Sequence, residues 1–231
     1  VQYGVSKDGT IDFNEVLKLA RKFRPKVIMS GYSAYPRTVD FKKFGRIARL
    51  VSAYHVADIS HIAGLVAARF HPSPFLYADV VVTTTHKTLR GPRGAVIFSK
   101  NELSARIDRA VFPGFQGGPH NNVTLAKAVA FEEALSKGFV SYQKQIVKNA
   151  SVLASALLKN GFTLVSGGTD THLLLVDLRS AGMDGKTVEG ILEEGGITAN
   201  RNSIPGDIKP LYPSGLRLGT PAVTTRGMKE R

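Results

Sequence analysis

The chain contains no cysteine. That excludes disulfides, thiolate metal sites and a cysteine nucleophile, and it fits a cytoplasmic protein. No apolar run reaches the roughly 18 residues of a membrane-spanning helix. No internal repeat or low-complexity tract is present. Acidic residues are scarce, 18 Asp and Glu against 31 Lys and Arg, for a net charge of +13. The basic residues are spread along the chain rather than gathered in blocks, and Phe and Tyr are not interleaved with them as stacking platforms. Nucleic-acid binding is therefore not expected as the main role. With 231 residues, 43% of them hydrophobic, the chain can build one large or two small domains.

Two apolar segments end in residues suited to chemistry. The run Asp79-Val80-Val81-Val82-Thr83-Thr84-Thr85 is followed by His86 and Lys87, then by the Gly91-Pro92 turn. This places an amine at the carboxyl end of a buried strand, where open α/β sheets put their ligands. A partly desolvated lysine amine loses its proton readily and can attack a carbonyl to form an imine. The competing reading is a loop lysine that answers a nearby carboxylate. The run Tyr54-His55-Val56-Ala57 closes on Asp58, with His61 three residues on. A carboxylate at a strand end can hold the protonated ring nitrogen of pyridoxal phosphate (PLP), which keeps the ring an electron sink. Asp58 could instead cap the helix that follows. An Asp on one strand end with a Lys on the next is the pairing that PLP requires.

Four longer segments occur in order: Asp58 to Ala68, Thr83 to Gly94, Phe112 to Pro119, and Ser214 to Ala222. Together they resemble serine hydroxymethyltransferase, and the likeness runs along nearly the whole chain. The resemblance implies a PLP-dependent transferase of fold type I, aspartate-aminotransferase-like. It further implies transfer of the serine hydroxymethyl carbon to tetrahydrofolate, leaving glycine. A basic surface suits both a phosphorylated cofactor and a polyanionic folate. The family is at least dimeric, and a homodimer is expected, with a tetramer as a further possibility. Members of the family are longer at both ends. The chain opens at Val1 without Met or a targeting pattern, and Thr225 to Arg231 reads as the first turn of a helix. The expectation is a central fragment that lacks the family's aromatic stack, first phosphate loop and acid/base glutamate, and that is inactive alone.

Hydrophobic periodicity organises the rest. Helices are expected at Asp12 to Phe23, with an Asp12/Glu15 capping box, and at Asp40 to Tyr54. Strands are expected at Val27–Gly31 and about 55–58, 79–84 and 94–98. This is the pattern of an α/β layer with a mostly parallel sheet. A helical stretch from about Val123 to Lys159, broken at Gly138, leads into a second pattern. There, strands are expected at Phe162–Val165, His172–Leu178, near Ile197–Asn200 and at Leu216–Leu218, with a helix over Gly185 to Glu194. The expected organisation is a PLP-binding large domain over 1–137 and part of a small α+β domain over 138–231.

The resemblance assigns roles residue by residue. Lys87 carries PLP and Asp58 pairs with its ring nitrogen. His61 and Ser33 lie near the phenolic oxygen, though Ser33 could simply bond its own turn. His86 and Thr84 match residues on the cofactor side, or they only shape the strand end. Gly117 and Gly118 can offer backbone N–H groups to a phosphate, and in the family this loop reaches the partner subunit's cofactor; a simple loop turn is the alternative. Arg217 is the clamp for the substrate carboxylate, because a guanidinium matches a carboxylate with two parallel bonds. A structural ion pair is its alternative. Asn202 keeps its family place. Between Asn202 and Arg217 the family has Ser-Pro-Phe and a Thr before Ser-Gly. Here the stretch is a residue shorter, with Pro213 in the Thr position, and Pro210, Leu211 and Tyr212 are the candidate folate contacts. No metal site is expected. A threonine aldolase of the same fold and a basic, non-catalytic binding protein are the competing readings.

Overall fold

The computed structural model describes residues 1–208 and 211–230. The chain forms two compact units. One comprises Val16–Tyr32 and Val39–Val140; the other comprises Val1–Glu15, Ser33–Thr38 and Ser141–Arg231.

The first unit is built on the four-stranded sheet β1 (Val27–Ser30), β2 (Tyr54–Asp58), β3 (Val80–Thr84) and β4 (Ala95–Ser99), in that spatial order. β1, β2 and β3 are parallel, and β4 runs antiparallel against β3. Helix α1 (Phe13–Phe23) precedes β1 and buries Val16 and Ala20. Asp12 caps it, accepting from the N–H groups of Asn14 and Glu15 at 2.9 and 3.2 Å. The expected capping box is only half made, because the Glu15 carboxylate accepts from the Gly4 N–H at 2.9 Å. Helix α2 (Phe41–Leu50) buries Phe41, Phe44, Ile47 and Ala48, and Asp40 caps it through the Lys43 N–H. It stops at Leu50 rather than running on to Tyr54. The N–H groups of Val51, Ser52 and Ala53 fold back onto the carbonyls of Ala48 and Arg49. Tyr54 is then free to pair with Val27.

A short helix α3 (Ala63–Ala67) follows β2, and α4 (Asn101–Arg109) follows β4. Neither carries a long enough apolar period to stand out in the sequence. The expected long helix is two helices, α5 (Asn121–Ala134) and α6 (Lys137–Lys159). The break lies at Leu135-Ser136, not at Gly138, which sits inside the first turn of α6. The Ser136 hydroxyl accepts from the Phe139 N–H at 3.1 Å. A serine cap therefore sets the start of α6.

The second unit holds an antiparallel sheet of β5 (Thr163–Leu164), β6 (Leu173–Asp177), β7 (Asn200–Asn202) and β8 (Gly215–Gly219), in the order β5-β6-β8-β7. Its core gathers Leu164, Leu174, Val176, Leu178 and Leu216 with Ala154 of α6. Helix α7 (Gly185–Glu194) spans the expected residues and is capped by Asp184. The strand expected near Ile197–Asn200 begins only at Asn200, because Gly196 adopts φ +74° and prolongs the turn. At the far end, Pro221–Thr225 forms α8. Residues 225–228 close that helix and do not open one. Gly227 has φ +88°, and the N–H groups of Gly227 and Met228 bond the carbonyls of Thr224 and Val223. This is the glycine-terminated helix end in which two orphan carbonyls are satisfied. Among the described residues no helix is long and apolar enough to cross a membrane.

Candidate functional site

Asp58 and the segment leading to Lys87 lie at the carboxyl ends of adjacent parallel strands. Asp58 is the last residue of β2 and stands opposite Val82 of β3. Its Oδ1 accepts from the Ser60 N–H at 2.9 Å, closing a tight turn. It does not cap α3, whose N-cap is Ile62 with no side-chain bond. Asp58 Oδ2 has no hydrogen-bond partner among the described residues, so it remains open to a donor. Gly31, one residue past β1, fixes the neighbouring backbone. It has φ +137°, and a Cβ there would lie 2.2 Å from the Asp58 carbonyl oxygen.

Lys87 sits three residues beyond β3 in a turn closed by the Arg90 N–H on the Lys87 carbonyl at 2.9 Å. Its side chain makes no ion pair or hydrogen bond among the described residues, so the loop-lysine reading finds no carboxylate to support it. Next to it, the buried His86 Nδ1 and Thr84 Oγ1 lack hydrogen-bond partners. Buried polar atoms of this kind call for a partner. A free amine, an open carboxylate oxygen and two unsatisfied polar atoms at neighbouring strand ends are the donor set that a phosphorylated pyridine aldehyde needs. The residues present fit PLP.

Two hydroxyls that sequence reasoning missed tie these strand ends together. The Ser60 Oγ accepts from the Thr84 N–H at 2.9 Å. The buried Thr88 Oγ1 donates to the His61 carbonyl at 2.8 Å and accepts from the Gly64 N–H at 3.0 Å. The loop after Asp58 and the loop carrying Lys87 are therefore cross-linked on both sides. The only sequence signal was their position beside Asp58 and Lys87. Beneath them the buried His55 bonds the Tyr77 carbonyl through Nδ1 at 3.0 Å and Ser30 Oγ through Nε2 at 2.8 Å. A carbonyl can only accept, so Nδ1 carries the proton and the serine hydroxyl donates to Nε2. Burial pushes the His55 pKa below its ordinary value, against smaller opposing effects of the Tyr77 carbonyl and Asp79.

In the other unit, Arg217 lies on β8. Its Nη1 donates to the Ser33 carbonyl at 2.7 Å and its Nη2 to Asn200 Oδ1 at 2.8 Å. It makes no ion pair among the described residues, so the alternative of a structural salt bridge is not realised. Desolvation lowers its pKa from the ordinary value. Arg217 is a half-buried cation held by neutral acceptors alone. Asn200, which holds it, was not singled out in the sequence. Ser33 is exposed and takes part here through its carbonyl; among the described residues its hydroxyl makes no turn bond. The Asn202 amide donates to the Ser203 carbonyl at 3.3 Å.

The remaining expected residues stand apart from these contacts. Gly117 and Gly118 are exposed, and a Cβ at either would meet nothing within 4 Å. Leu211 and Tyr212 are exposed at 85% and 70%. Pro210 lies outside the described residues. No cluster of three metal-ligating side chains occurs among the described residues. With this geometry in hand, comparison with protein families gives a match to the model described as Serine hydroxymethyltransferase, over residues 1–231.

Proposed function

The chain belongs to the serine hydroxymethyltransferase family, and from that premise we propose how its own residues serve the family's chemistry. That chemistry is the interconversion of serine and glycine by a PLP-dependent one-carbon transferase, with tetrahydrofolate as co-substrate. The proposed architecture is fold type I, with the parallel sheet of the first unit as its core.

Lys87 holds the cofactor through its amine, and Asp58 keeps a proton on the ring nitrogen. The observation that carries this reading is the pairing of these residues on adjacent parallel strand ends, cross-linked by Ser60 and Thr88. When bound, PLP supplies an electron sink for the bond broken at the amino acid's α-carbon. His86 and Thr84 supply the polar atoms beside Lys87, and His61 and Ser33 serve the phenolic oxygen. Arg217 binds the amino-acid carboxylate. Its neutral partners support this, because among the described residues no carboxylate competes for the guanidinium. Asn202 and the stretch Pro210, Leu211 and Tyr212 serve folate. The exposed loop of Gly117 and Gly118 offers backbone N–H groups to the phosphate at a partner subunit's site, which makes the working form a homodimer.

The test is to add PLP to the purified chain, fix any imine with borohydride and map the labelled peptide by mass spectrometry. The label is expected on the peptide containing Lys87 and is lost in Lys87→Ala. Labelling at another lysine, or undiminished labelling of the variant, would overturn the assignment.

A further inference from the structure

The chain's positive charge is not shared evenly. The first unit carries 18 Lys and Arg against 7 Asp and Glu, and the second carries 13 against 11. Nearly all of the net charge therefore resides in the unit with the parallel sheet.

The fold gathers much of it at one edge. Arg21, Lys22, Arg24 and Lys26 occupy the end of α1 and the link into β1, and all are exposed. Lys42, Lys43, Arg46 and Arg49 line the outer face of α2, and all are exposed. The starts of β1 and β2 lie side by side, because the Tyr54 N–H donates to the Lys26 carbonyl at 2.9 Å. The end of α1 and the end of α2 thus meet at the amino-terminal edge of the sheet. This is the edge opposite Asp58 and Lys87. Lys43 pairs with Asp40 at 3.6 Å; Arg21, Lys22, Arg24, Lys26, Arg46 and Arg49 make no ion pair among the described residues. Lys42 and Lys43 stand in the first turn of α2, at its other end. One or two cations at a helix C-terminus answer its dipole; six cations, Arg21, Lys22, Arg24, Lys26, Arg46 and Arg49, go well beyond that need.

Aromatic rings stand among the charges. Phe23 is 49% exposed and lies under Lys22 Nζ at 5.2 Å, and Tyr54 is 46% exposed. Phe23 stands between Lys22 and Arg24 in the sequence itself, and strand pairing brings Tyr54 beside Lys26. The apolar side of α2 is spent on the core, with Phe41 and Phe44 at 1% and 0% exposure. The helix therefore has no apolar face to insert into a lipid surface.

We propose that the amino-terminal edge of the sheet in the first unit binds single-stranded nucleic acid, with the basic residues on the phosphates and Phe23 and Tyr54 as stacking platforms. Binding of this kind is independent of sequence and strongly salt-dependent. With four to six phosphates neutralised, the slope of log K against log salt for a single strand is about −3 to −4.

The experiment measures anisotropy of a labelled, mixed-sequence single-stranded oligonucleotide of about 20 nucleotides, a site size spanning both helix ends. The purified chain is compared with two quadruple variants that remove the same charge. One is Arg21→Glu, Lys22→Glu, Arg46→Glu and Arg49→Glu; the other is Lys144→Glu, Lys159→Glu, Lys186→Glu and Lys229→Glu in the second unit. Affinity is expected to fall at least tenfold in the first variant and about twofold in the second, with the salt slope reduced only in the first. Phe23→Ala is expected to weaken binding without changing the slope. Equal losses in both quadruple variants would show a net-charge effect and overturn the proposal. So would no binding to the oligonucleotide, or retained binding of the first variant. Preferred binding to phosphatidylserine vesicles over the oligonucleotide would overturn it in favour of a lipid surface.

Discussion

Gly31→Ala should unseat Asp58. Gly31 has φ +137°, a conformation that residues with a Cβ rarely adopt, and holding one there costs about 1–3 kcal/mol. The added methyl would also stand 2.2 Å from the Asp58 carbonyl oxygen and 2.9 Å from its carbonyl carbon and Cβ. These neighbours are backbone and its first side-chain atom, so no rotamer change relieves the clash. Overpacking of this kind costs about a further 1–3 kcal/mol. Together they place the loss of stability at about 2–6 kcal/mol, a large share of a typical domain's total. With urea slopes of about 1–3 kcal/mol per M, the midpoint should fall by about 1 M or more. The same displacement moves the carboxylate proposed to pair with the ring nitrogen, so on that proposal PLP affinity should drop at least tenfold. The control is Gly117→Ala, whose methyl meets nothing within 4 Å and which should leave the urea midpoint unchanged. If Gly31→Ala matched the parent in both urea midpoint and PLP titration, the link from Gly31 to Asp58 would be refuted.

Thr88→Val removes a hydroxyl that bonds the His61 carbonyl and the Gly64 N–H; leaving these groups unpaired should cost about 1–3 kcal/mol, with Thr88→Ser restoring most of it in urea unfolding. Arg217→Lys should weaken glycine binding to the PLP-loaded chain by about 10- to 150-fold, the loss of about 1.5–3 kcal/mol for a charged hydrogen bond, while leaving PLP affinity unchanged; an unaltered glycine dissociation constant would remove Arg217 from the substrate site. His55 has a folded pKa depressed by burial, so its contribution is fully present above the unfolded value near 6.5 and is lost as pH falls through the folded value. Proton NMR should show the His55 ring titrating below the ordinary histidine value; a midpoint at or above that value would contradict the Ser30–His55–Tyr77 network.

The strand ends were legible because the apolar runs of the parallel strands stop at polar residues, Asp58 as the last residue of β2 and Thr84 as the last of β3, with His86 and Lys87 following. Helix α7 was legible from its periodicity, and Asp184 caps it in the structure. The errors have local causes. Gly138 attracted the helix break because glycine is a poor helix former, yet Ser136 offers a side-chain cap and wins. Glu15 belongs by spacing to a capping box, but the Gly4 N–H competes for its carboxylate across eleven residues. Contacts of that range leave no period in the sequence. The same is true of Ser60 and Thr88, whose hydroxyls matter only once β2 and β3 are paired, and of Asn200, which reaches Arg217 through strand register. Ser33–Thr38 joins the second unit through bonds such as Arg37 to Asp170 at 2.8 Å, and Val1–Glu15 is tied to it by the Ile11 N–H on the Tyr35 hydroxyl at 3.3 Å. Nothing in those short segments announces their destination.

The two edges of the parallel sheet carry different chemistry, and electrostatics says how independent they are. β2 has five residues, and at about 3.3 Å per residue its ends lie roughly 16 Å apart. The Debye length is about 8 Å at 0.15 M salt and about 30 Å at 0.01 M. Charges at the amino-terminal edge are therefore screened from the Lys87 end near physiological salt and felt there at low salt. The variant carrying Arg21→Glu, Lys22→Glu, Arg46→Glu and Arg49→Glu should bind PLP within about twofold of the parent at 0.15 M salt. At 0.01 M salt its affinity for the anionic cofactor should fall further behind. Fluorescence titration with PLP at the two salt concentrations separates the cases. A loss at 0.15 M as large as the loss of oligonucleotide binding would mean that the basic edge acts through the structure of β1 and β2 rather than through its own surface charge.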